Sequence, residues 1–194
     1  MARLNRKFGN LIENLCMCKT PGTLGYGVSR PTSDNQKIST EKQSLYRSGI
    51  GMLLYLIKHS RPDIANAVCE CTKVLDGAME YAYHEMLRII KYVLDTKDYG
   101  LKIDPIYEKN KPWDLVCYSD SDYAGDSDTR RSVSGFILYV CNVPISLRSK
   151  AQRCVTLSSS EAEWIALSKA VKEVMFVSQL LTSMKIHVQS PIIV

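Results

Sequence analysis

In CYSDSDYAGDSD, residues Cys117 to Asp128, four of twelve residues are aspartate, at 120, 122, 126 and 128, directly after the strand-forming run WDLVCY. Gathering ionised carboxylates at the end of a buried strand is unfavourable, because like charges repel and desolvation penalises each one. A second set of acids opens the stretch SSSEAEWIALSKAVKE, which has helical periodicity. At 100° per residue, Glu163 falls on the stripe of Leu167, Ala170 and Val174, whereas Glu161 falls with Lys172 and Gln179 on the outer side. Glu163 is therefore the acid expected to approach Asp120, which shares a strand face with Val116 and Tyr118. Two such carboxylates need a cation or a shared proton to coexist, and Mg²⁺, a hard ion bound by oxygen ligands and completed by substrate phosphate, is the natural candidate. The alternative assigns the aspartates to solvated turns and Glu163 to a capping box.

The elements that would position these residues are legible as changes of period. Residues 1–41, with PGTLGYGVSRPTSD, read as an irregular arm. Lys42–His59 reads as a buried helix whose Gly49 and Gly51 suit close packing. Ser60-Arg61-Pro62-Asp63 gives the start signal of a second helix, expected to run to Gly77. A third, Met79–Lys97, places Ala82, Met86, Ile89, Ile90 and Val93 on one stripe, with Gly100 set to end it. After Gly100 the period becomes that of strands: LKI, WDLVCYS, GFILYV and VPISLRS predict a meander across Leu101–Ser149. One long helix, Ser158–Met184, follows, opened by either Ser158-x-x-Glu161 or Ser160-x-x-Glu163. PIIV then reads as the start of a fourth strand, which makes the fold class α/β: a helical segment, then a mixed sheet of a three-strand meander, a long helix and that fourth strand.

Composition bounds the rest. At 194 residues and 45% apolar, the chain has enough material for a sizeable core. The longest apolar run, MLLYLI, falls far short of the roughly 20 residues of a membrane span, and Asn10, Glu13 and Asn14 interrupt any signal peptide. Seven cysteines, partly in Cys-x-Cys pairs, with three histidines, argue for reduced thiols rather than zinc. The expected location is cytoplasmic or nuclear, not secreted. Residues 1–112 carry 17 basic and 12 acidic side chains and residues 113–194 carry 8 of each, so the net +5 lies in the first part.

The motifs YRSGIGMLLYLIKHSRPDIANAV, LRIIKYVLDTKDYGLKI, YSDSDYAGDSDTRRSVSGF, PISLRSKAQ and TLSSSEAEWIALSKAVKE occur in that order from Tyr46 onward. Together they resemble the C-terminal part of copia-type retrotransposon Pol polyproteins. The resemblance implies a connection segment of reverse-transcriptase type at 42–100 and a ribonuclease H-like domain at 101–194, the remainder of the Pol polyprotein being their natural context. It implies that Asp120 and Glu163 are catalytic carboxylates binding two Mg²⁺ ions about 4 Å apart, which hydrolyse the RNA strand of an RNA/DNA hybrid. Asp126, Arg131, Ser134 and Lys150 fall in the same motifs, the last three as nucleic-acid contacts and Asp126 as a turn former; Asp122 lies within reach of the site. The family's third catalytic Asp belongs to an Asp-Asn pair beyond PIIV, so the resemblance also implies that these 194 residues alone do not cleave. Three functions compete: a ribonuclease H piece, a non-catalytic remnant binding nucleic acid through its basic half, and a protein-docking module.

Overall fold

The computed structural model describes residues 1–23, 27–28, 33, 37–108, 110–126 and 128–194; much of PGTLGYGVSRPTSD lies outside the described residues. The chain forms two compact units, Met1–Gly100 and Leu101–Val194.

The first unit is helical. The irregular arm expected over residues 1–41 needs correction at its start, where α1 (Ala2–Ile12) buries Leu4, Phe8 and Ile12. Their i, i+4, i+8 spacing puts all three on one helix face. α2 (Thr40–His59) is capped by Ser39, whose hydroxyl accepts from Lys42 N, and buries Tyr46, Gly49, Ile50 and Leu53. Gly49 is a point of close approach, since a methyl group there would overlap Met86 Sδ and meet Phe8 Cζ at 3.2 Å, whereas one at Gly51 would meet nothing within 4 Å. Gly49→Ala is therefore expected to cost about 1–3 kcal/mol by overpacking, and Gly51→Ala to gain up to about 1 kcal/mol in helix propensity. Urea denaturation of the two variants checks the opposite signs.

The expected second helix is also shorter than its start signal suggests. Ser60 ends α2 instead of capping the next helix. A 3₁₀ turn (Pro62–Ile64) leads into α3 (Ala65–Thr72), five residues short of Gly77. Side chains of α2 explain the early stop: Gln43 Nε2 and Arg47 Nε both donate to Leu75 O at 2.8 Å, and Tyr46 Oη donates to Cys71 O at 2.6 Å. These donors satisfy carbonyls at and beyond the helix end, so further helical bonds are unnecessary there. α4 (Glu80–Asp95) buries the expected stripe, Ala82, Met86, Ile89, Ile90 and Val93. It ends at Thr96, whose hydroxyl donates to Tyr92 O at 2.6 Å, so Gly100 plays no capping part.

The second unit is a sheet covered by one helix. LKI forms no strand; Ile103 and Ile106 are exposed, and Ile106 N reaches Cys141 O alone among backbone acceptors of the described residues. β1 (Leu115–Asp122), β2 (Val133–Val140) and β3 (Val143–Ala151) form an antiparallel meander in the order β1-β2-β3. Between β2 and β3, Cys141 and Asn142 both have positive φ, 48° and 68°, the geometry of a two-residue hairpin turn that follows the sheet's right-handed twist. The PIIV segment lies parallel to β1, joined by the Val116–Ile193 bridge and by Cys117 N donating to Ile193 O at 3.0 Å. The fold is thus mixed α/β with the beginning of a parallel fourth strand, as the sequence predicts.

α5 (Ser159–Ser183) packs Ala170, Val174, Val177 and Leu181 onto Leu115, Cys117, Phe136, Leu138 and Val140. Of the two possible capping boxes the chain uses the first: Ser158 Oγ accepts from Glu161 N at 3.1 Å and Glu161 Oε2 accepts from Leu157 N at 2.7 Å. Ser158→Ala removes one acceptor and is expected to lower stability by about 1 kcal/mol, read from the thermal midpoint of the 194-residue protein.

Candidate functional site

The acidic stretch is divided between two structural roles. Along β1 the odd positions Leu115 and Cys117 enter the core beneath α5. The even positions Val116, Tyr118, Asp120 and Asp122 therefore face the opposite side of the sheet, where Tyr118 meets Tyr139 edge to face at 6.0 Å between centroids. Asp120 is exposed there, paired in register with Gly135, whose missing side chain leaves the neighbouring position open. Asp122 ends β1, and its carboxylate rests on Gly125, where a methyl group would overlap it.

Asp126 does turn chemistry. It is buried; its Oδ1 accepts from both the N–H and the hydroxyl of Thr129 at 2.7 Å, and its own N–H and carbonyl bond Arg131 O and Arg130 N. Arg130 has a φ of 54°, which this closed loop imposes on it. Arg131, at the loop's end, is exposed.

Glu163 lies in the second turn of α5 and is exposed. The buried stripe of α5 is Ala162, Ala166, Ala170, Val174, Val177 and Leu181. Its small first members bring the helix start close to the sheet and turn Glu163, with half-buried Leu167, onto the flank of the stripe. The structure thus frees Glu163 from the capping box without seating it in the core. Among the described residues neither the Asp120 nor the Glu163 carboxylate has a hydrogen-bond or salt-bridge partner, and no group of three or more His, Cys, Asp or Glu converges as a metal would require. By donor type the two carboxylates suit a hard ion such as Mg²⁺; by convergence they do not complete a site.

Ser134, expected as a nucleic-acid contact, is instead buried under α5. Its hydroxyl accepts from Gln152 Nε2 at 2.9 Å and from Lys169 Nζ at 3.2 Å. This corrects the expectation: an alternating strand position that faces a helix is closed to a large ligand. Lys150, its register partner on β3, is exposed. Gln152 also donates to Ala162 O at 3.0 Å and so ties the chain after β3 to the start of α5. Burial, followed by repulsion from Arg148, Lys150 and Arg153, holds the Lys169 ammonium below its usual pKa. The part played by Lys169 was not legible in the sequence; its signal was a lysine two residues from the apolar stripe's Leu167 and next to Ala170.

Comparison with known proteins decides the family. The chain is 33% identical over 146 residues to the retrovirus-related Pol polyprotein from transposon RE2 of Arabidopsis thaliana, 75% of this chain and 10% of that protein. It is 33% identical over 160 residues to the corresponding polyprotein from transposon TNT 1-94 of Nicotiana tabacum, 81% of this chain and 11% of the relative. The chain belongs to the retrotransposon Pol family. This Pol segment spans about a tenth of the length of those polyproteins. It is also 36% identical over 133 residues to a protein of Plasmopara viticola named secreted RxLR effector protein 161, 91% of that relative and 69% of this chain. No family model and no solved structure matches the Pol segment. Among the described residues no helix is long and apolar enough to cross a membrane.

Proposed function

We propose that Leu101–Val194 is a ribonuclease H-type domain acting on the RNA strand of RNA/DNA hybrids, and that Met1–Gly100 is the connection segment that precedes it in a Pol protein. The observation that carries this reading is the placement of Asp120 at the carboxyl end of β1, the usual place for chemistry in an α/β sheet, inside a chain of Pol ancestry. Asp120 and Glu163 are the residues that would hold Mg²⁺. When bound, such ions activate water and stabilise the leaving oxygen of a phosphodiester. The protein's own part is to present the two carboxylates, one from a strand end and one from a helix start, on elements that the core of α5 and the sheet keeps rigid.

The 194 residues alone are expected to bind a hybrid without cutting it, because two exposed carboxylates that do not converge with a third ligand hold Mg²⁺ weakly. The proposed partners are the hybrid and the remainder of Pol, in the cytoplasm or nucleus. A labelled hybrid incubated with the protein in Mg²⁺ tests this: a shifted, intact hybrid is expected. Cleavage would overturn the inactivity, and absence of any binding would remove the hybrid as partner.

The second reading, a nucleic-acid-binding module without catalysis, is favoured by the cations gathered around Lys169. Retention of hybrid binding by Asp120→Asn and Glu163→Gln, together with an intact hybrid even when the rest of the domain is supplied, would select it.

A further inference from the structure

β3 is the edge of the sheet, and its Arg148 and Lys150 pair with Phe136 and Ser134, both of which are buried on the α5 side. Paired residues share a face, so the two cations lie on that side, about 6.7 Å apart along the strand. Lys169 reaches the same strip from α5 through its hydrogen bond to Ser134 Oγ. Arg153 follows Gln152, whose amide is fixed by Ser134 Oγ and Ala162 O. Among the described residues none of the four cations forms a salt bridge. The next acid along α5, Glu173, accepts from Ser146 Oγ at 3.0 Å instead. Four like charges gathered without acidic partners repel one another, and an anion laid along the strip relieves that repulsion. Charge repeating at the step of alternate strand residues matches a polyphosphate chain better than a single small anion.

We propose that Arg148, Lys150, Arg153 and Lys169 form a phosphodiester-backbone site on the α5 side of the β3 edge, across the sheet from Asp120, which grips a nucleic-acid strand without reading its bases. The site takes its partner class from the nucleic-acid reading above, but it does not depend on Asp120, Glu163 or metal. Binding is thereby separable from cleavage.

Fluorescence anisotropy of a labelled single-stranded DNA, in EDTA and over a salt series, tests it on the 194-residue protein. Arg148→Gln/Lys150→Gln, both exposed, is expected to weaken binding about tenfold at low salt and to reduce the slope of log K against log salt by about 1.4. Lys172→Gln, exposed on the outer side of α5, is expected to leave both unchanged. Two oligonucleotides of different sequence are expected to respond equally. Failure of the unaltered protein to bind, an unchanged affinity in the double variant, or an equal loss in Lys172→Gln would overturn the proposal. So would a polyglutamate of matched charge that displaces the DNA at lower concentration than unlabelled DNA does. If the site holds while no polypeptide containing it ever cleaves a hybrid, the catalytic reading fails and this one stands.

Discussion

Arg61→Ala is expected to destabilise the Met1–Gly100 unit by about 1–3 kcal/mol, the cost of leaving the buried Thr96 carbonyl without its donor. Arg61 is 1% exposed. Its Nε and Nη2 donate to the two Asp63 carboxylate oxygens at 2.9 and 2.8 Å, while Nη1 and Nη2 donate to Thr96 O and Oγ1 at 3.0 and 2.8 Å. The guanidinium also lies against the Tyr92 and Tyr99 rings, 5.4 and 6.0 Å from their centroids. One side chain thus ties the turn before α3 to the end of α4, and lysine, lacking the planar fork, does not restore it.

The same pair gives the unit an acid dependence. Burial acts to raise the Asp63 carboxyl, but the hydrogen bonds and charge of Arg61 outweigh it and hold the group below its ordinary value. A depressed folded-state pKa contributes stability that is present above the unfolded value, about 3.9, and is lost as pH falls through the folded one. Urea midpoints from pH 6 downward are therefore expected to drop below about pH 4, and Arg61→Ala to remove that part of the drop. Equal midpoints for variant and parent at neutral pH would contradict the role assigned to Arg61.

The second large effect concerns Asp120. In a Pol polypeptide that cleaves hybrids, Asp120→Asn is expected to lower the cleavage rate by at least about 10²–10³, the scale of losing one preorganised electrostatic contact to the transition state. Hybrid binding measured in EDTA is expected to stay as it was, because the cations around Lys169 lie across the sheet. Asp126→Asn makes the useful contrast. Its Oδ1 serves the Thr129 amide and hydroxyl, so its loss is expected to appear as lowered stability, read by thermal melting, rather than as a selective loss of rate. A rate that survives Asp120→Asn would remove the residue from the chemistry.

Period and turn chemistry made most of the fold legible. The meander, the long helix, the α4 stripe and the fourth-strand start all come from local alternation or 3.6-residue spacing, and β2, α4 and α5 each bury an apolar face. Elsewhere distant side chains decide. Leu75 O is taken by Gln43 and Arg47 from α2, which ends α3 early, and no window around Gly77 contains that information. α1 was within reach, since Leu4, Phe8 and Ile12 have the right spacing, but the polar residues between them drew the reading toward an irregular arm.

At the site, strand alternation groups Asp120 with Val116 and Tyr118, but that face lies away from α5, so Asp120 is exposed and is not the inward partner expected for Glu163. The Asx chemistry of Asp126 follows from its turn context. A helical wheel misplaces Glu163 because it has no axial position: an alanine-rich start lets the stripe drift, and the second turn of α5 leaves its flank exposed. Ser134 and Lys169 needed the third dimension outright, being 35 residues apart in the chain and 3.2 Å apart in the fold.

Leu101–Val194 is proposed to carry Asp120 and Glu163 of a ribonuclease H-type site. The measurement that meets it most directly is Mg²⁺-dependent cleavage of a labelled RNA/DNA hybrid by the 194-residue polypeptide, alone and joined in frame to the segment that follows PIIV in a related Pol polyprotein, each with Asp120 and with Asp120→Asn. The expected result is no cleavage alone, cleavage of the RNA strand when joined, and its loss in Asp120→Asn. An intact hybrid with the joined polypeptide, or cleavage indifferent to Asp120, would contradict it.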